Sequence, residues 1–205
     1  MRPSQRLDAM NPDELRQHIQ TFFAAVGRGE IEIYNEFSLQ HEFGIYLRAR
    51  LGNSQIRIQF ERPTGFFGIG SRLTKKEIDL ACFEAPEKPL AAVEFKFPRA
   101  KQVPIRMFKY CQDVAFLEEL VIKERRFGCG YAVMAADNRD FYQGSRHEQG
   151  TIYSIFRDGA PLRGMIEKPT GTEEPPVTLL REYKIEWHEV GGMPGLRYTM
   201  TTIAR

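Results

Sequence analysis

The chain has 205 residues, 42% hydrophobic and 27% charged, which suits one domain (residues 1 to 205) with a full hydrophobic core and excludes a disordered or fibrous polymer. Its formal net charge of +2 is too small to mark a nucleic-acid binder by itself, yet residues 48 to 109 hold 13 Lys and Arg against 6 Asp and Glu, the footprint of a phosphate-backbone binder. No stretch has the apolar core of a signal peptide or the length to span a membrane, and Cys82, Cys111 and Cys129 form no Cys-x-x-Cys pair, so a cytoplasmic protein with three buried thiols and no membrane partner is expected.

In chain order, Asn11, Pro12 and Glu14 predict the cap, first residue and capping-box partner of a first helix that ends at Gly27. A second helix is predicted from about Asn35 to Arg50, with Gly52 as its stop. At about 100° per residue, Leu39, Phe43, Tyr46, Leu47 and Leu51 gather into one core-facing stripe. Glu36 and Gln40 fall inside that stripe and Glu42 lies at its flank, whereas His41 and Arg48 point outward. A carboxylate there is costly unless a metal, a cation or hydrogen bonds compensate it. For Glu36 the alternative is a wet side chain favoured by the positive helix end.

Ile56, Ile58 and Phe60 alternate with polar neighbours as in a half-buried strand, stopped by Pro63, and TGFFGIGS reads as a loop able to move. KEIDLACFE and PLAAVEFKF are predicted as two strands joined by a turn, and Pro104 opens a long helix through MFKYCQDVAFLEELVIK. GYAVMAAD reads as a buried strand. Beyond Asp137, TIYSIFRD is expected as a strand and KPTGTEEPP as a turn-rich loop, while YKIEWHEV and LRYTMTTI flank GGMPG as a β-hairpin.

The chemistry concentrates in PLAAVEFKF. Period-two geometry puts Leu90, Ala92, Glu94 and Lys96 on one face and Ala91, Val93, Phe95 and Phe97 on the other, so a carboxylate and an ammonium sit about 6 to 7 Å apart at the edge of a core. On the preceding strand Asp79 shares a face with Glu77 and Ala81, opposite Ile78, Leu80 and Cys82, and in a hairpin it approaches Glu94. Two converging carboxylates make a hard oxygen site suited to Mg²⁺ or Mn²⁺. A lysine beside them can hold an attacking water or offset charge on a phosphate, which together describe phosphodiester hydrolysis.

These residues resemble the PD-(D/E)XK, or restriction-endonuclease-like, nuclease superfamily, whose pattern is an acidic helix residue, then Asp on one strand, then Glu-x-Lys on the next. The resemblance implies an α/β fold with an αβββαβ core and a mixed central sheet, covering about residues 30 to 137. The matching elements are helix 35 to 51, strands 55 to 62, 75 to 84 and 89 to 97, helix 104 to 124 and strand 129 to 136. The extra N-terminal helix and a β-rich elaboration with the C-terminal hairpin, about 138 to 205, lie outside that core. Carried over by position, Asp79 and Glu94 are implied metal ligands, Lys96 the catalytic lysine and Phe95 the donor of a backbone oxygen to the metal. Glu36 or Glu42 is the implied helix acid, and Gln40 and Gln112 are implied auxiliary polar groups. Ile78 stands where the superfamily's name has proline.

The implied activity is Mg²⁺- or Mn²⁺-dependent cleavage of nucleic acid, with DNA as the expected substrate and oligomerisation open. Arg72, Lys75, Lys76, Arg99, Lys101, Arg106 and Lys109 are candidate backbone contacts. Phe66, Phe67 and Phe108 are candidate base contacts, against the reading that they are core. Two alternatives stand beside this. One is a catalytically silent module of the same fold that binds nucleic acid or a partner protein; the other is a structural Glu94–Lys96 ion pair in an unrelated domain. His18, His41, His147 and His188 lack metal-ligand spacing, and no Walker loop or nucleophile elbow is present.

Overall fold

A computed structural model describes residues 12–52, 54–70, 73–99, 103–144, 151–171 and 174–205. The Asn11 cap, Arg72, Lys101 and His147 lie outside the described residues. Helices α1 (Pro12–Gly27) and α2 (Glu36–Leu51) precede strands β1 (Arg57–Pro63), β2 (Glu77–Ala85) and β3 (Lys88–Lys96). Helix α3 (Val103–Glu118), extended by a π-helical turn over Glu119–Lys123, leads to β4 (Cys129–Ala136). There follow α4 (Ile152–Arg157), β5 (Leu162–Ile166), β6 (Val177–Tyr183), β7 (His188–Glu189) and β8 (Arg197–Ala204). The fold is α/β, with a mixed six-stranded sheet in the order β1-β2-β3-β4-β8-β7 and a separate two-stranded sheet, β5-β6. β3 and β4 run parallel and the other neighbours antiparallel.

The amphipathic patterns explain the layers. The α2 stripe of Leu39, Phe43 and Leu47 packs with Phe22 and Phe23 of α1 against Leu80, Val93, Phe95 and Val133 on one sheet face. Met107, Tyr110, Val114 and Leu117 of α3 cover Ala81, Phe83, Ala92 and Met134 on the other. β4 is buried at all eight positions, as its unbroken apolar run requires of a central strand covered on both faces. Asn35 and Ser38 cap α2 reciprocally, each side chain accepting from the other's backbone N–H, and Gly52 ends it with φ at 53°. No helix among the described residues is long and apolar enough to cross a membrane.

Several expectations change. TIYSIFRD is a helix rather than a strand: Thr151 caps it, and Ile152, Ile155 and Phe156 bury one helical face. Its β-branched and aromatic composition imitates a strand, but the i, i+3, i+4 spacing governs. The first arm of the C-terminal hairpin shrinks to His188 and Glu189, because Tyr183 already closes β6, while β8 pairs with β4 along its whole length and so enters the central sheet. TGFFGIGS is anchored by a short 3-10 turn whose Phe67 is fully buried. Leu90 packs with Ala91 and Val93 instead of with Ala92, since the β2–β3 pairing shifts register at Phe83. Ile78 joins Ala81 and Phe83 on the α3 side, one residue from an irregularity in β1: Glu61, opposite Asp79, is left-handed with φ at 47°.

Glu118, at the end of α3, ties the C-terminal segment to this frame. Its buried carboxylate accepts from Leu180 N at 2.7 Å, Arg181 N at 3.0 Å and the Tyr183 hydroxyl at 2.8 Å. Replacing Glu118 by Ala strands these β6 donors and is expected to lower unfolding free energy by about 3 kcal/mol, measured by urea denaturation.

Candidate active site

The acids converge because β2 and β3 are antiparallel neighbours in which Leu80 faces Val93 and Ala81 faces Ala92. One step beyond, Asp79 and Glu94 bond across the strands: Asp79 N donates to Glu94 Oε1 at 3.2 Å, and Phe95 N donates to Asp79 Oδ2 at 2.8 Å. Each carboxylate thus has one oxygen oriented by the neighbouring strand and one turned toward the cations. Glu94 is buried from solvent and Asp79 partly so.

Two helices from opposite layers reach the same place. Glu36, the first residue of α2, accepts from Phe97 N at 3.2 Å through Oε2 and faces Lys96 Nζ at 3.4 Å through Oε1. Asp113, from the middle of α3, faces Lys96 Nζ at 3.1 Å through Oδ2 and accepts from Lys75 Nζ at 3.0 Å through Oδ1. Lys96 also donates to the Phe95 carbonyl at 2.7 Å. The Lys75 ammonium touches Glu94 Oε2 as well and stands 3.8 Å from Asp79 Oδ1, so three acids share it. Its backbone position is set by Thr74, whose N–H and hydroxyl both donate to Glu119.

Gln40 supports the acids from behind. Its buried amide donates to the Asp79 carbonyl at 2.5 Å and to Glu61 Oε1 at 2.8 Å. A left-handed non-glycine residue such as Glu61 is uncommon, and here the strained turn places its carboxylate on the amide that fixes Asp79.

Four carboxylates, Glu36, Asp79, Glu94 and Asp113, face two ammonium groups, Lys75 and Lys96, leaving a formal deficit of positive charge. Burial, followed by the charge of Asp79, pushes Glu94 well above the usual carboxylate range despite Lys75. Burial also raises Asp79, against the pull of Lys75 and Lys96. Burial alone would lower the two lysines, but Glu94 and Asp113 outweigh it at Lys75, and Asp113 and Glu36 at Lys96, so both are held above the ordinary lysine value. The acids remain under-compensated, the condition in which a further cation is favoured.

The donor set suits a hard divalent ion: Asp79 Oδ1, Glu94 Oε2 and the Phe95 carbonyl are oxygens, and the Lys75 ammonium is a stand-in cation among the acids. Among the described residues no group of three or more His, Cys, Asp or Glu side chains is disposed to hold a metal as it stands. Lys75 Nζ fills the point on which the acids converge.

The structure therefore brings together Asp79, Glu94, Lys96, Glu36, Gln40 and the Phe95 carbonyl. It does not bring in Glu42, which lies six residues beyond Glu36 and about 240° further around α2. Gln112 is also elsewhere, donating to Glu174 at 3.3 Å beside Lys109, because it sits one position off the buried stripe of α3. Lys75 is in the site rather than free for a backbone phosphate, and Arg99 pairs with Asp137. Lys76 and Arg106 are exposed. Phe67 and Phe108 are wholly buried and Phe66 packs on Phe83, so these rings are core, not base contacts.

Asp113 escaped the sequence reading although it carries the same signal as Glu36 and Gln40. It falls three residues after Tyr110 and four before Leu117, inside the apolar stripe of α3. The basic Lys75 precedes β2 in an irregular segment, where no periodicity predicts direction.

Replacing Gln40 by Ala leaves the Asp79 carbonyl and Glu61 without their buried donor and is expected to cost about 1 to 3 kcal/mol of stability, read from the urea midpoint. No family model matches the sequence, and no curated protein or solved structure matches the chain significantly, so the chemistry of these residues is what separates the possible functions.

Proposed function

We propose that the protein is a divalent-metal-dependent nuclease with a restriction-endonuclease-like core, hydrolysing phosphodiesters in nucleic acid, with DNA as the first substrate to test. The element order α2-β1-β2-β3-α3-β4 supports this core. The observation that carries the reading is the convergence of Asp79, Glu94 and Lys96 with a deficit of positive charge.

Asp79, Glu94 and the Phe95 carbonyl would hold Mg²⁺ or Mn²⁺. When bound, the ion supplies Lewis-acid polarisation of a phosphoryl oxygen and a water of lowered pKa. Lys96 is kept protonated and immobile by Glu36, Asp113 and the Phe95 carbonyl, and its N–H groups orient the attacking water or offset charge growing on the phosphate. Glu36, the most exposed of the four acids, stands at the solvent side and fixes Phe97 and Lys96 together. Gln40 keeps the Asp79 backbone in place. Tyr34 and Phe37, 61% and 77% exposed, flank Asn35 and Glu36 and offer ring faces to unstacked bases beside the site. Lys76 and Arg106 add exposed positive charge for the backbone.

One observation favours a second reading, a silent module that binds nucleic acid or a partner protein without cutting. Lys75 partly neutralises the acids from within. A salt-dependent gel shift without cleavage under any divalent metal would support that reading.

The test is cleavage of single- and double-stranded DNA and RNA by the purified chain with Mg²⁺ or Mn²⁺. Lys96→Ala is expected to lower the rate about 10²-fold or more. Because it leaves Asp113 and Glu36 short of a partner, it is also expected to cost about 3 kcal/mol of stability, so rates are compared well below both melting temperatures. Absence of cutting on every substrate with either metal ends the enzyme reading.

A further inference from the structure

We propose that Asp113 is a third acidic ligand of this site and that Lys75 is its built-in counter-ion, displaced when a divalent cation binds. The inference rests on the nuclease reading of the same residues and names two members of the site that the Asp and Glu-x-Lys pattern does not contain.

Asp113 comes from α3, whereas Asp79 and Glu94 come from neighbouring strands, so the three acids approach the Lys75 ammonium from separate elements. Asp113 Oδ1 takes one bond from Lys75. Its Oδ2 is buried and has no hydrogen-bond partner, because Lys96 Nζ lies within 3.1 Å but outside hydrogen-bonding geometry. Oδ1 thus lies at the ammonium on which Asp79 and Glu94 also converge, while Oδ2, on the Lys96 side of a carboxylate 4% exposed as a side chain, has coordination capacity that the lysines leave unused. Oxygen ligands of this charge suit Mn²⁺ or Mg²⁺.

Lys75 is built to yield. Its ammonium partly neutralises the acids in the metal-free protein, yet its side chain is 29% exposed, against 14% for Lys96, so it is the more open of the two lysines to solvent. Thr74 anchors the preceding backbone to Glu119, which confines the movement to the side chain. An ion entering among Asp79, Glu94 and Asp113 meets like charge from Lys75 at contact distance, and displacement of the ammonium relieves it. Released, the amine hangs at the mouth of the site, where an entering phosphate needs a cation.

Calorimetric titration of Mn²⁺ into the full chain, with thermal unfolding in EDTA and in saturating Mn²⁺, tests both roles. Lys75→Met is expected to bind Mn²⁺ about tenfold or more tightly than wild type, to melt below wild type in EDTA and to recover in Mn²⁺. Asp113→Asn, which keeps the shape but not the charge, is expected to bind about tenfold or more weakly. Lys75→Gln carries the same expectation as Lys75→Met should the latter not fold without metal. An affinity unchanged in either the Lys75 or the Asp113 variant, while Asp79→Asn loses binding, overturns this proposal and leaves the nuclease reading standing. A wild type that binds no Mn²⁺ and cuts nothing overturns both.

Discussion

A buried charge needs an answering charge or a full set of hydrogen bonds, and at the end of β3 the chain buries more negative than positive. Glu94 and Asp113 have almost no contact with solvent, Asp79 has little, and Glu36 closes the group at the surface. Desolvation of such a set is costly by several kcal/mol per ion unless close cations and hydrogen bonds repay it. Backbone N–H groups of Asp79, Phe95 and Phe97 and the two lysines supply most of that compensation. The remainder is a shortfall of positive charge that a salt-bridge network in balance would not show.

The fold makes this arrangement possible by layering. β3 is sandwiched between α2 and α3, so alternate residues feed opposite cores, and only at its final turn outward can one side chain meet both helices. Lys96 occupies that position, with Glu36 from one layer and Asp113 from the other. The same logic explains the irregularity at Glu61. A regular β1 would bond the Asp79 carbonyl through its own ladder, whereas here Gln40 from α2 takes that carbonyl and a strained residue completes the link. Strain at a residue touching the site, in a strand otherwise in register, marks a geometry held by its surroundings.

Much of this was legible in the sequence wherever a period could be read. The α2 stripe, the β3 alternation and the unbroken β4 run give layer and direction, and with them the meeting of Asp79, Glu94 and Lys96. The bulge at Phe83 was not legible, because β2 and β3 are buried on both faces there and a one-residue change of register exchanges one apolar residue for another; the left-handed Glu61 carries no turn residue to mark it. Helix α4 resembles a strand in sequence, since six residues hold too few turns for spacing to outweigh Ile, Tyr and Phe composition. Lys75 lay in an aperiodic segment, and its partners are 19 and 38 residues away, a relation only the folded chain contains. Asp113 was legible from its place in the α3 stripe, three residues after Tyr110 and four before Leu117.

Helix α3 carries its own control for the functional interpretation. Glu118 and Asp113 are both buried carboxylates on one helix, about 140° apart around a stretch that is buried on every side. Glu118 meets two backbone N–H groups and a hydroxyl, all neutral, local to β6, and sharing both of its oxygens. That is how a chain satisfies an acid whose work is to join two pieces of structure. Asp113 meets two ammonium groups and still keeps one oxygen without a hydrogen bond. Had the chain needed only stability there, an apolar residue of similar volume would fill the stripe at lower cost. An acid left partly unsatisfied beside two others, where the same helix saturates a second acid five residues on, is the difference on which the proposed role of Asp113 as a ligand rests.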